Sequence, residues 1–152
     1  MSNTKKITIS GIIMAIYIVL MYSTQTFAFG SIQVRIATAL YALAAPFPFL
    51  ILPLGLANGL SNLLFSTPID AACGFFIGII TSYIIYLIRK IKLSDYLVFL
   101  PICFVVGLGV PLWLAPYLHI PYWALAGSLL IGQAICGVIG VLILKVVKRF
   151  ER

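Results

Sequence analysis

Any chemistry in this chain has to be organised around Arg35. It is the only basic residue between Lys6 and Arg89, and it sits in the stretch FGSIQVRIATAL, residues 29–40, between two long apolar runs. An arginine presents a planar fork of five N–H donors and no acceptor. At the centre of a membrane helix it costs roughly 2.5–3.5 kcal/mol, and less near an interface. Two readings follow: an interfacial arginine that snorkels to water, or a contact to a ligand or partner. Gln33 stands two residues earlier, on the same face of any extended lead-in. Asp70 opens a later run at the same expected height, so an Arg35–Asp70 ion pair is a structural alternative. Asn58 and Asn62 are four apart and share one helical face. Amides inside a membrane point inward, to a neighbouring helix or to a polar cavity, and Gln133 poses the same choice. Tyr122 and Trp123 read as interfacial belt residues or as rings that stack on a planar ligand. His119, alone in a loop, reads as solvent-facing.

Other chemistries find no residues to carry them. The sequence has no G-x-x-x-x-G-K-[ST] loop, no HExxH and no Ser/His/Asp set, so ATP binding by a P-loop, hydrolysis and metal catalysis are not expected. Neither an enzyme nor a cofactor is anticipated. Cys73, Cys103 and Cys136 lie in apolar runs without a CxxC pair and read as small buried hydrophobes. A proton-driven carrier needs ionisable groups deep in its helices, and only Arg35 and Asp70 come near.

These residues must be positioned by membrane helices. Of 152 residues, 63% are hydrophobic and 9% charged, and the mean hydropathy is +1.19. Soluble domains use about 25% charged residues. The expected fold is all-α, a polytopic membrane protein of one domain, residues 1–152. Expected spans are 7–27, 36–52, 54–66, 69–88, 94–115 and 121–144. The first run, behind Lys5 and Lys6, is too long for a signal peptide and reads as a retained helix. Gly30 ends it. Pro46, Pro48 and Pro53 crowd the second turn. Ser66-Thr67-Pro68 leads into Asp70 near a helix N-terminus, and Ser94 or Asp95 can cap the fifth helix.

The net charge of +7 does not indicate nucleic acid. The basic residues fall in three clusters that flank apolar runs: Lys5/Lys6, Arg89/Lys90/Lys92 and Lys145/Lys148/Arg149/Arg152. That is the pattern of cytoplasmic anchors. If all three lie on one side, an even number of spans separates each pair. The stretch from Lys6 to Arg89 holds four spans at about 20 residues each and is far too long for two. Two more fit before Lys145. Six transmembrane helices with both termini cytoplasmic place Gln33, Arg35, Asp70, Tyr117, His119, Tyr122 and Trp123 at the outer mouth. Small residues recur every fourth position at Ala124, Ser128, Gly132, Cys136 and Gly140, and at Gly74 and Gly78. Such faces let backbones approach closely, and these are expected to pack internally. Gly11 and Ala15 repeat the pattern in the first helix, where spacing alone leaves internal packing and a second subunit equally open.

A small six-helix chain of this kind resembles the substrate-binding S components of energy-coupling factor (ECF) transporters. FGSIQVRIATAL, PLGLANGLSNLLFSTPIDAACG and IGQAICGVIGVLIL resemble, more narrowly, the QueT family of queuosine-precursor transporters. The resemblance runs through nearly the whole chain. It is most specific at Phe29-Gly30-x-Ile32-Gln33-x-Arg35, Asn62-Leu63-Leu64 and Asp70-x-x-x-Gly74. Two positions depart from the family pattern. The Ser-Glu pair that usually follows the arginine reads Ala37-Thr38, and the Gly-Glu-Ala of the last helix reads Gly132-Gln133-Ala134. Both departures replace a carboxylate by a neutral group. The resemblance implies capture of a 7-deazaguanine-type base from outside a prokaryotic plasma membrane. It implies as partners a transmembrane T component and two cytosolic ATPases, with Gly11 and Ala15 as the docking surface. The expected substrate-binding set is Gln33, Arg35, Thr38, Asn62, Asp70 and Gln133, with Trp123 as the ring that closes one face.

Overall fold

The computed structural model describes residues 1–28 and 33–150. Gly30 as the end of the first run, the Phe29-Gly30-x-Ile32 half of the motif and Arg152 of the third basic cluster lie outside the described residues. Every regular element among them is helical, as the composition requires. Helix α1 (Asn3–Ser23) is followed by the short α2 (Gln25–Ala28). Then come a 3-10 helix at Ile36–Ala44 and a single 3-10 turn at Pro48–Leu50 that runs into α3 (Ile51–Phe65). Helix α4 (Pro68–Lys90) is unbroken. The next pass is broken into a 3-10 turn at Asp95–Val98, a π-helical turn at Pro101–Val105, α5 (Val106–Gly109) and α6 (Pro111–Leu118). Helix α7 (Tyr122–Phe150) is the last element among the described residues.

Among the described residues, five segments are long and apolar enough to cross a membrane: Asn3–Ser23, Pro48–Phe65, Pro68–Lys90, Asp95–Leu118 and Tyr122–Phe150. The expected span 36–52 is the exception among six. Its nine-residue 3-10 helix rises about 2.0 Å per residue and covers only ~18 Å. Ala45 to Phe47 interrupt it, and Pro48 starts the next turn. Ala37 through Ala44 are all buried, which is the condition under which irregular backbone is tolerated at membrane depth. The prolines explain why the Asp95–Leu118 pass is broken. Pro101 and Pro111 open new turns and Pro116 lies inside α6, and each removes one N–H from the helical ladder.

Of the small residues expected to pack internally, Gly132, Cys136 and Gly140 on α7 and Gly74 and Gly78 on α4 are buried, whereas Ala124, at the start of α7, is exposed. A Cβ on Gly132 would overlap the Gln33 carbonyl, and one on Gly140 would lie 3.2 Å from the Ala39 carbonyl. On α4, Gly78 faces the Gly55 Cα and the Tyr41 hydroxyl, and Gly74 faces the Asn58 and Asn62 amides. Helix α1 is anchored through Tyr17 and Met21, both fully buried. The Tyr17 and Tyr41 hydroxyls hydrogen-bond at 3.2 Å. Gly11 and Ala15 differ from the other small pairs. Both are exposed, and nothing stands within 4 Å of a Cβ built on Gly11.

Two ends of the bundle follow from these contacts. At one end Arg35 meets Asp70 and Tyr22 meets Phe65. At the other, Phe49 and Pro53 share a cleft with Lys6 and Ile7, and Lys148 pairs with Asp95. The chain between Arg35 and Phe49 therefore runs from one end to the other.

A buried polar cluster around Arg35 and Asp70

The cluster starts at the turn between α3 and α4. Thr67 is extended and caps α4, accepting from the Asp70 N–H at 3.2 Å, and Pro68 takes the first position, where its missing N–H costs nothing. Asp70 is thereby set in the first turn, where the helix dipole favours a carboxylate. Asn62, near the end of α3, donates to the Asp70 carbonyl at 3.1 Å, and Asn58 donates to the Gly74 carbonyl at 2.7 Å. The bare α carbon of Gly74 leaves room for both amides. Arg35 precedes the 3-10 helix and sends Nη2 to Asp70 Oδ2 at 3.3 Å. Arg35 is 1% exposed and Asp70 is not exposed at all. A buried pair of this kind stands only if further hydrogen bonds satisfy it. Trp113 in α6 supplies one, its Nε1 donating to Asp70 Oδ1 at 3.0 Å.

The expected site residues are brought together with one exception. Thr38 donates to the Arg35 carbonyl at 2.8 Å and reaches Gln133 Oε1 at 2.7 Å. It has a single hydroxyl proton, so it serves these two acceptors in alternation. The Gln33 N–H donates to Ser128 Oγ at 3.3 Å. Gln33, Thr38, Asn62 and Gln133 are all buried. Trp123 is elsewhere. It is 76% exposed and packs edge-on against Tyr122, with ring centroids 5.0 Å apart, which suits the interfacial reading. His119 is exposed and ends α6 in a left-handed conformation. Sequence reasoning passed over Trp113. Its only signal was that an indole N–H in an apolar run needs an acceptor.

Four buried side-chain atoms in this region have no hydrogen-bond partner among the described residues: the amide oxygens of Gln33, Asn58 and Asn62, and the amide nitrogen of Gln133. Buried polar atoms are normally paired. Three unused acceptors and one unused donor group therefore surround a charged pair. A cleft of 140 Å³ lies beside them, lined by Gln33, Phe65, Ser66, Thr67, Leu114 and Tyr117 among others. That is below the roughly 300–1,000 Å³ of ordinary ligand pockets. Trp113→Phe is expected to lower stability by about 1–3 kcal/mol by leaving Asp70 Oδ1 unserved. Trp123→Phe should stay within about 0.5 kcal/mol, as exposed substitutions do. Thermal melts in one detergent check both.

A buried ion pair with side-chain amides nearby lies inside a bundle of apolar helices, and a family match makes it part of a membrane transport protein rather than an enzyme. The QueT transporter family model matches residues 7–149, and the chain belongs to that family. No curated protein and no solved structure matches it.

Proposed function

We propose that the chain is the substrate-binding S component of an ECF-type uptake transporter and that its ligand is a queuosine precursor of the 7-deazaguanine type. The observation that carries this reading is the set of unused polar atoms around the Arg35–Asp70 pair. Three acceptors and one amide donor suit a planar base whose edge is rich in N–H groups and carries one carbonyl oxygen. Arg35, Gln33, Thr38, Asn62, Asp70 and Gln133 form the site. The ring expected to close it is better sought at Trp113 than at Trp123. The buried segment between Arg35 and Phe49 serves as the second of six passes, so both termini lie on the cytoplasmic side with the basic clusters. The cluster faces outward, and a separate T component with two ATPases supplies the driving force.

Titrating the purified protein with a 7-deazaguanine base and with unrelated vitamins tests the ligand. Saturable binding and a raised melting temperature with the base alone are expected. A response to another vitamin, or to none, rejects the assignment. Cysteines placed at Tyr117 and Lys92 test the orientation, and labelling from outside is expected only at Tyr117. The exposed pair on α1 supports docking there. Gly11→Leu with Ala15→Leu should prevent copurification with the T component while ligand binding stays within twofold. Normal complex formation would move docking to another face.

A further inference from the structure

The end of the bundle opposite the polar cluster holds two adjoining clefts that ligand capture leaves unused. One, of 260 Å³, is lined by Asp95, Lys145, Lys148 and Arg149. The other, of 410 Å³, is lined by Tyr96, Phe99, Val138, Val141, Leu142 and Lys145. Lys145 belongs to both. We propose that this double cleft binds one anionic phospholipid, with the headgroup phosphate among Lys145, Lys148 and Arg149 and an acyl chain along Val138, Val141 and Leu142.

Charge and shape both favour this occupant. Among the described residues, three cations face one carboxylate. Lys148 is held by Asp95. Arg149 has no hydrogen bond or ion pair with any described residue. Lys145 donates to the Tyr96 hydroxyl at 2.7 Å and stands 4.1 Å above the Tyr96 ring. Its ammonium is therefore fixed where the charged cleft gives way to the apolar one. The apolar cleft follows one stripe of α7, with Val138, Val141, Leu142 and Lys145 spaced as neighbours on a helix face. Val138 lies about 10 Å along the axis from Lys145, in the direction an acyl chain runs from its headgroup. Val138 and Leu142 are 54% and 55% exposed, so this wall opens outward. Phe99 forms the opposite wall, and it fits because Gly137 has no Cβ to meet its ring. A basic pocket between helices at the membrane surface recognises anionic headgroups. The apolar half of the cleft distinguishes a lipid from a free phosphate.

Native mass spectrometry of the delipidated protein with equal amounts of phosphatidylglycerol and phosphatidylcholine tests the proposal. One phosphatidylglycerol should be retained in clear preference. Lys145→Gln and Arg149→Gln should each weaken its retention about fivefold, which corresponds to about 1 kcal/mol per basic residue near the surface. Val138→Trp, which fills the apolar cleft without changing charge, should weaken it as well. Glycerol 3-phosphate in excess should not displace the lipid. Equal retention of both lipids, or retention unchanged in Arg149→Gln, would overturn the proposal by reducing the cleft to ordinary lipid contact. Displacement by glycerol 3-phosphate would overturn it in favour of a soluble-anion site. The substitutions fall on exposed side chains, and melting curves confirm that each variant folds.

Discussion

Arg35→Ala should weaken ligand binding by about tenfold to more than a hundredfold and lower stability by about 3–5 kcal/mol. The stability loss is the cost of leaving a buried carboxylate without its partner, because Asp70 would keep only the Trp113 indole and its own helix N-terminus. The binding loss has a separate origin. A lost contact from a charged donor costs roughly 1.5–3 kcal/mol, or about tenfold to more than a hundredfold in affinity. Arg35→Lys separates the two. An ammonium can still reach Asp70 and recover part of the stability, but it lacks the planar fork, so affinity should fall nearly as far as with alanine. Asp70→Asn in the same background should restore part of the stability of Arg35→Ala by removing the orphaned charge, without restoring binding. Melting curves and a titration with a 7-deazaguanine base on all four proteins give both quantities. Near-native binding by folded Arg35→Ala would leave this arginine a structural ion-pair partner only.

Gly132→Ala should be nearly as damaging although it adds one methyl group. The added Cβ points into the Gln33 carbonyl, and next to Val34. Backbone cannot rotate aside as a side chain can. The 33–35 segment must move off α7, and it carries Gln33 and Arg35 with it. Overpacking typically costs about 1–3 kcal/mol, and here the displaced atoms belong to the site, so affinity should fall by at least about tenfold. Gly127→Ala is the control. It lies five residues away on the same helix, and nothing stands within 4 Å of its added Cβ. Equal melting temperatures and affinities for the two variants would reject the close approach.

Much of this architecture is legible in the residues. Most of the apolar runs, the cap at Thr67-Pro68 before Asp70 and the inward small residues Gly74, Gly78, Gly132, Cys136 and Gly140 appear where the sequence puts them, because each depends on neighbours a few positions away. The Arg35–Asp70 pair was legible as one alternative, since a lone buried cation demands an anion and the sequence offers few. The form of residues 36–44 was not. An apolar run reads as a span whatever its rise per residue, and the close approach of residues 33–42 to Gly132 and Gly140 of α7 is not written in the run itself. Nor could Trp113 and Trp123 be told apart. Their roles depend on which side of a proline-broken pass turns inward.

The two departures from the family pattern illustrate the same limit. As sequence they are separate losses of a carboxylate. In space Thr38 and Gln133 touch at 2.7 Å. Two acids at that distance would repel unless a proton or a cation lay between them, and the neutral pair here avoids that. Thr38→Glu alone should therefore be worse tolerated than Thr38→Ser.

The buried 3-10 helix also constrains how the chain is made. Its nine residues are too short to sit alone in a bilayer, and Arg35 at its head makes solitary insertion costlier still. Its partners are translated long afterwards: Asp70 is 35 positions away, and Ser128 and Gln133 are each 95 positions from the residues they meet. During synthesis the first helices must wait, with this segment held near the surface or shielded by the insertion machinery, until α7 emerges and offers its glycine face. The polar cluster around Arg35 is then completed only once α7 has been made, and a ribosome that stalls before Gly132 leaves residues 33–44 without the helix face they pack on.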